Sequence, residues 1–221
     1  MRRRRNTESY SRKKKYVDPR PFFIIVCEGK VTEVDYFKSF PYYQNLGGVS
    51  SCGYIYSHAP IYIEPEAGQH EQVVHRACRI YAELNKKYGS ILPKEVWCIF
   101  DCDNDVKRLN NAIQLAKAKG FNYIYSIQCF ELWYLLHFQM LTTAINKREY
   151  DKRISKNLGI NYSHGTIGMY KLLENFQRNA ICNARQLWEQ KSRIDELQSD
   201  PITNVFQLVE ALNDAYRKLN R

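Results

Sequence analysis

The sequence predicts an α/β fold with a mainly parallel central sheet and a helical C-terminal extension. Short runs of β-branched and aromatic residues alternate four times with segments of helical periodicity up to about residue 140, the pattern of a parallel α/β core. Beyond Leu141 the strand signals vanish while helical patterns persist. The runs FFIIVC and VWCIF are continuously apolar and end in carboxylates, as expected of strands buried on both faces whose carboxyl ends open onto a polar edge.

Phe22 to Cys27 reads as the first strand. Thr32, with Asp35 three residues on, predicts a capping box for a short helix, Glu33 to Phe40. A Gly/Ser-rich stretch around Gly47 to Gly53 leads to a weaker strand near Ile61 to Ile63. Val73, Ala77, Ile80, Tyr81, Leu84 and Tyr88 recur at helical spacing within 69–88. Gly89 and Pro93 punctuate before the strand Val96 to Phe100. Val106, Leu109, Ile113 and Ala116 mark the next helix, closed by Gly120. A fourth strand, Tyr123 to Ile127, precedes a helix over Phe130 to Phe138. In the last segment Asp200 is expected to cap and Pro201 to take the first helical position of a helix striped by Val205, Leu208, Val209, Leu212, Tyr216 and Leu219. The expected division is a basic tail (1–20), an α/β core (21–140) and a helical extension packed on it (141–221).

The net charge of +10 is unevenly placed: the first fifteen residues carry +7, leaving +3 for the rest. Arg2, Arg3, Arg4, Arg5, Lys13, Lys14 and Lys15 suit a phosphate-binding arm, although a solvated leader has the same composition. Seven scattered cysteines without a C-x-x-C pair argue for a reduced compartment and against structural zinc. The early apolar run is too short for a signal-peptide core or membrane span, so a cytoplasmic protein without a membrane partner is expected.

The chemistry concentrates in two acidic clusters, Glu28 in FFIIVCEGKVTE and Asp101, Asp103 and Asp105 in VWCIFDCDND. In an extended chain residues i and i+2 face one side, so Asp101 and Asp103 can aim at one ion, and oxygen donors suit Mg²⁺ or Mn²⁺. An EF-hand would need Gly at Val106 and Glu at Ala112. A phosphatase nucleophile of the haloacid dehalogenase kind normally follows the first strand, which here ends in EGK; a structural turn is the remaining reading. Glu28 can act as base, acid or ligand, or merely cap a helix. Gly29 permits a sharp turn beside it. Glu33 and Asp35 can complete an acidic cup, and Lys30 is a candidate phosphate contact. Glu131, just past the fourth strand, is a further candidate ligand or orients one. His137, six residues on, points about 120° away from it and reads as a core histidine. His70-Glu71 with His75 has the wrong spacing for a zinc helix, and no loop for ATP or a dinucleotide is present.

A glutamate after the first strand, a D-x-D after a later one and the absence of a nucleotide-binding loop resemble the Toprim domain of topoisomerases, primases and OLD nucleases. That resemblance implies a Toprim, Rossmann-like core, Glu28 as the acid/base and Asp101 and Asp103 as Mg²⁺ ligands; the OLD pattern adds Glu33, one residue further on than EGxxE. More of the chain is covered by EGKVTEVDYF, IFDCDND, CFELWYLLHF and DPITNVFQLVEAL, which in this order resemble the RloB family found beside bacterial restriction and abortive-infection genes. Gln128 and Cys129 stand where that family would have an Asn-Pro-like turn. The resemblance implies a metal-dependent nuclease acting on DNA or RNA in phage defence, with an ATPase partner. The alternative is a non-catalytic nucleic-acid-binding or regulatory subunit of such a complex.

Overall fold

The computed structural model describes residues 22–41, 61–88, 94–102, 105–195 and 200–219. The basic tail, Asp103 and Cys52 lie outside them.

Four strands, β1 (Phe22–Cys27), β2 (Ile61–Glu64), β3 (Lys94–Cys102) and β4 (Asn122–Ile127), form one parallel sheet in the order β2-β1-β3-β4. β1 and β3 are central, which explains their unbroken apolar runs: both faces are covered by helices, so no position is left for a polar residue until the strand ends. Between them the strand order reverses, since β1 continues to β2 on one side and β3 to β4 on the other. Such a switch point opens a crevice beyond the carboxyl ends of the strands, where ligands of open α/β sheets bind.

The connecting helices are α1 (Thr32–Lys38), α2 (Glu71–Tyr88) and α3 (Val106–Ala118). Beyond β4 come α4 (Glu131–Leu135), α5 (Lys147–Leu158), α6 (Met169–Leu173), α7 (Gln177–Asp195) and α8 (Phe206–Leu219). Strand alternation sorts the side chains into two cores. Ile24, Val26, Cys98 and Phe100 pack with Val73, Ala77, Leu109 and Ile113 of α2 and α3. Phe23, Ile25, Trp97 and Ile99 pack with α1 and with the C-terminal helices through Trp133, Tyr150, Leu173, Leu187 and Leu208. The C-terminal helices therefore share the sheet's own core. Each such fully buried apolar side chain contributes roughly 2 kcal/mol.

The expected elements are present, with three local differences. Val31, not Thr32, occupies the N-cap of α1, and no side chain caps it; Asp35 instead accepts from the Gly168 N–H at 2.7 Å. The helix after β4 is shorter than the expected 130–138 and ends at Leu135. Asp200 and Pro201 do not start the last helix. Residues 202–204 run along the open edge of β4, where Thr203 bridges Ser126 in antiparallel fashion and the Asn204 side chain serves the Tyr125 N–H and Tyr123 carbonyl. Unsatisfied edge backbone is costly when buried, so pairing it takes precedence over helix entry. No helix of the described residues is long and apolar enough to cross a membrane.

Candidate functional site

The acidic side chains gather at the carboxyl edge of β1 and β3. Glu28 follows Cys27 directly, its N–H donating to the Ile99 carbonyl at 3.1 Å. Its carboxylate accepts from the His70 N–H at 3.4 Å, at the entry to α2. His70 is buried, has a left-handed backbone at φ 49°, and neither of its ring nitrogens has a hydrogen-bond partner. Asp101 alternates with Phe100 and Cys102, which belong to the α2–α3 core, and so lies on the opposite side, facing the C-terminal helices. Glu28 and Asp101 thus sit at the ends of adjacent strands on one edge of the sheet.

The residue that meets Asp101 is Glu33. It is 3% exposed. Burial pushes its carboxyl up, the charge of Glu131 adds to this, and hydrogen bonding with its own backbone and with Asp101 draws it partly back. The glycine of the EG pair makes this placement possible: a Cβ on Gly29 would lie 2.3 Å from Glu33 Oε2. Gly29 is therefore where it is because a carboxylate packs against its Cα.

Asp101, Cys129, Glu131, Lys147, Asp151 and His164 line a cavity of about 270 Å³. Glu131 is buried, and its Oε1 accepts from the Tyr162 hydroxyl at 3.0 Å and lies 2.6 Å from His164 Nδ1; Oε2 has no hydrogen-bond partner. Burial alone would raise the Glu131 carboxyl, but the hydrogen bond and charge of His164 outweigh it and hold the group below the ordinary range. The same hydrogen bond, working against desolvation, raises His164. Cys129 is a buried thiol pushed well up by desolvation and by Glu131, which suits a packing role more than a nucleophile.

Other sequence-derived candidates are engaged elsewhere. Asp105 caps α3, accepting from the Arg108 N–H at 3.1 Å and pairing with its guanidinium. Lys30 pairs with Glu66 at 3.3 Å on the exposed surface. His137 is fully buried with Nδ1 2.9 Å from the Trp133 carbonyl, as its helical offset from Glu131 requires. Asp103 and the basic residues Arg2 to Arg5 and Lys13 to Lys15 lie outside the described residues. Sequence reasoning missed Lys147, Asp151, Tyr162 and His164, all from the C-terminal helical segment. The one local signal was the pair of glycines, Gly165 and Gly168, that follow His164 and adopt left-handed conformations.

The donor set suits a hard divalent cation in kind, being carboxylate oxygens close to one another at a strand edge. Among the described residues, no group of three His, Cys, Asp or Glu is arranged to hold an ion. Asp101 and Glu33 supply two such carboxylates, and Asp103 is the third in sequence.

No curated protein and no solved structure matches this chain. A family model described as RloB-like protein does match, over residues 23–212, so the segments that carry the acidic edge, the helix after β4 and most of the C-terminal helices fall within it, and the chain belongs to the RloB-like family.

Proposed function

We propose that this chain is a cytoplasmic metal-dependent nuclease that hydrolyses phosphodiester bonds of DNA or RNA in anti-phage defence. The observation that carries the reading is the crowding of Glu33, Asp101 and Glu131 beside the switch point of the sheet, where Glu33 and Glu131 are buried. Carboxylates held this close out of water call for a counter-charge. Asp101, Asp103 and Glu33 would hold Mg²⁺ or Mn²⁺. Bound there, the ion would polarise the phosphoryl oxygens and acidify a water. Glu28, fixed by the His70 N–H at the neighbouring strand end, is the acid/base. Lys147 brings positive charge to the same cavity, where it suits the nucleic-acid backbone, and the basic tail extends that contact without reading sequence. Glu131 serves His164. The sequence holds no ATP-binding loop, and an ungated nuclease would harm its host, so control falls to an ATPase partner or to a signal arriving at the C-terminal helices.

The test is cleavage of plasmid, single-stranded DNA and tRNA by the purified chain, alone and with a neighbouring ATPase, in Mg²⁺, in Mn²⁺ and with chelator. Cleavage should require the metal, and Asp101→Asn should lower it about 100-fold or more while leaving the melting temperature within a few degrees. Cleavage that survives both chelation and Asp101→Asn would overturn the assignment. Binding without cleavage, even with the partner, would instead favour a regulatory subunit.

A further inference from the structure

The pocket contains one group that a carboxylate-only site does not need. His164 is carried by the loop between α5 and α6, and that loop is pinned at several points. Tyr162 is buried, exchanges hydrogen bonds with Ser155 Oγ, its N–H donating at 3.0 Å, and sends its hydroxyl to Glu131. Thr166 closes a turn with Ser163, and the Gly168 N–H is held by Asp35 on α1. Between these anchors the His164 ring projects, 73% exposed, with Nδ1 gripped by Glu131 and the cavity it lines shared with Asp101 and Lys147. An exposed ring normally samples many orientations. Here a buried carboxylate 2.6 Å away selects one, with the proton of Nδ1 directed to Glu131 and Nε2 left outside that bond.

We propose that His164 is the general acid of this pocket, delivering the Nε2 proton to the oxygen that leaves phosphorus, with Glu131 as its positioning residue. The proposal rests on the nuclease reading above and deepens it. Water attacks phosphorus, and its proton passes to Glu28. The bond between phosphorus and the leaving oxygen breaks, and the electron pair stays on that oxygen. The oxygen takes the proton from Nε2, and His164, now neutral and still protonated at Nδ1, is recharged from solvent. Glu131 stabilises the cationic ring before transfer and keeps the tautomer fixed after it. The Glu131 hydrogen bond is also the largest cause of the raised affinity of His164 for its proton.

The experiment uses the full-length chain, under the conditions in which it cleaves, on a substrate from the panel above. Two further versions of that substrate carry sulfur in place of the 3′- or the 5′-bridging oxygen at the cleaved bond. A thiolate leaves without protonation, so only the loss of a general acid is repaired by sulfur. His164→Gln should cut cleavage of the oxygen substrate about 100-fold or more. On one of the two sulfur substrates it should come within a few-fold of the unaltered chain. Because His164 is exposed, a melting curve close to that of the parent is expected and checks that the variant folds. Undiminished cleavage of the oxygen substrate by His164→Gln, or an equal deficit on oxygen and on both sulfur substrates, would overturn the acid role and leave the nuclease reading standing. Failure of the unaltered chain to cleave any substrate, with or without its partner, would overturn both.

Discussion

Gly29 and Glu33 form a matched pair in which the missing side chain of one makes room for the carboxylate of the other. Adding a methyl group at Gly29 would put carbon 2.3 to 2.8 Å from three atoms of the Glu33 carboxyl group, which is buried and has little room to retreat. Gly29→Ala should therefore displace the carboxylate that meets Asp101. The expected outcome is a loss of cleavage of at least tenfold with a stability cost of about 1–3 kcal/mol, read from activity assays beside denaturant unfolding. His137 offers a test of the core at the same scale. Burial lowers its pKa to about 4 from an ordinary 6.5, although its hydrogen bonds to the Trp133 and Tyr134 backbone oppose this. Above pH 6.5 the ring is neutral in both folded and unfolded chains, and stability is unaffected. As pH falls from 6.5 toward 4 the unfolded chain takes up a proton that the folded one refuses, so stability is lost across that window, by up to about 3 kcal/mol. Melting temperature against pH should be flatter between 4 and 6.5 for His137→Leu than for the parent. Parallel curves would assign the acid sensitivity to other groups.

At the scale of elements, the segment 202–204 behaves as a clip on the edge of β4. Asn204 accepts from the Tyr125 N–H at 2.7 Å and donates to the Tyr123 carbonyl at 3.2 Å, while Thr203 and Ser126 share a hydrogen bond of 2.8 Å. These partners hold α8 against the sheet, because Val205 and Phe206, the next residues, enter the same core. Asn204→Ala removes the acceptor of the buried Tyr125 N–H and the donor to the half-buried Tyr123 carbonyl, at about 1–3 kcal/mol for each group left unpaired. Equilibrium unfolding should show a loss of about 2–5 kcal/mol. A loss below about 0.5 kcal/mol would mean the clip is not needed to seat α8.

On the scale of the whole molecule, charge is concentrated at one end of the sequence. Residues 1–15 carry +7 of the total +10. Their deletion should leave the melting temperature unchanged and weaken nucleic-acid binding. The dependence of log affinity on log salt should flatten by roughly 0.7 to 0.9 for each phosphate that the shortened chain no longer neutralises. An unchanged slope from low to moderate salt would make the tail a leader without a binding role. The acidic edge draws on the whole chain: its carboxylates follow β1 or come from α1, β3 and α4, and the C-terminal segment lines the cavity at Asp101 and Glu131 with Lys147, Asp151 and His164.

The parallel core was legible in the sequence because its signals are local. Apolar runs, helical periodicity and glycine stops depend on residues within one turn or one strand, and β1, β3, α3 and β4 fall within a few residues of where those signals put them. Asp101 at a strand end was legible for the same reason. The packing at the edge was not: the close approach of Glu33 to Gly29 and its hydrogen bond with Asp101 depend on how α1 folds back onto the strand ends. The pairing of Glu131 with Tyr162 and His164 spans 31 and 33 residues, across α5 and into the loop that follows it. The DPIT run carries helix-start chemistry that the open edge of β4 overrides. The sequence alone determined the four strands, the helices between them and that carboxylates end the central strands. Only tertiary structure decided which of those carboxylates meet and that the C-terminal helices complete the pocket, because long-range contacts are set by how buried faces and unpaired backbone find their partners.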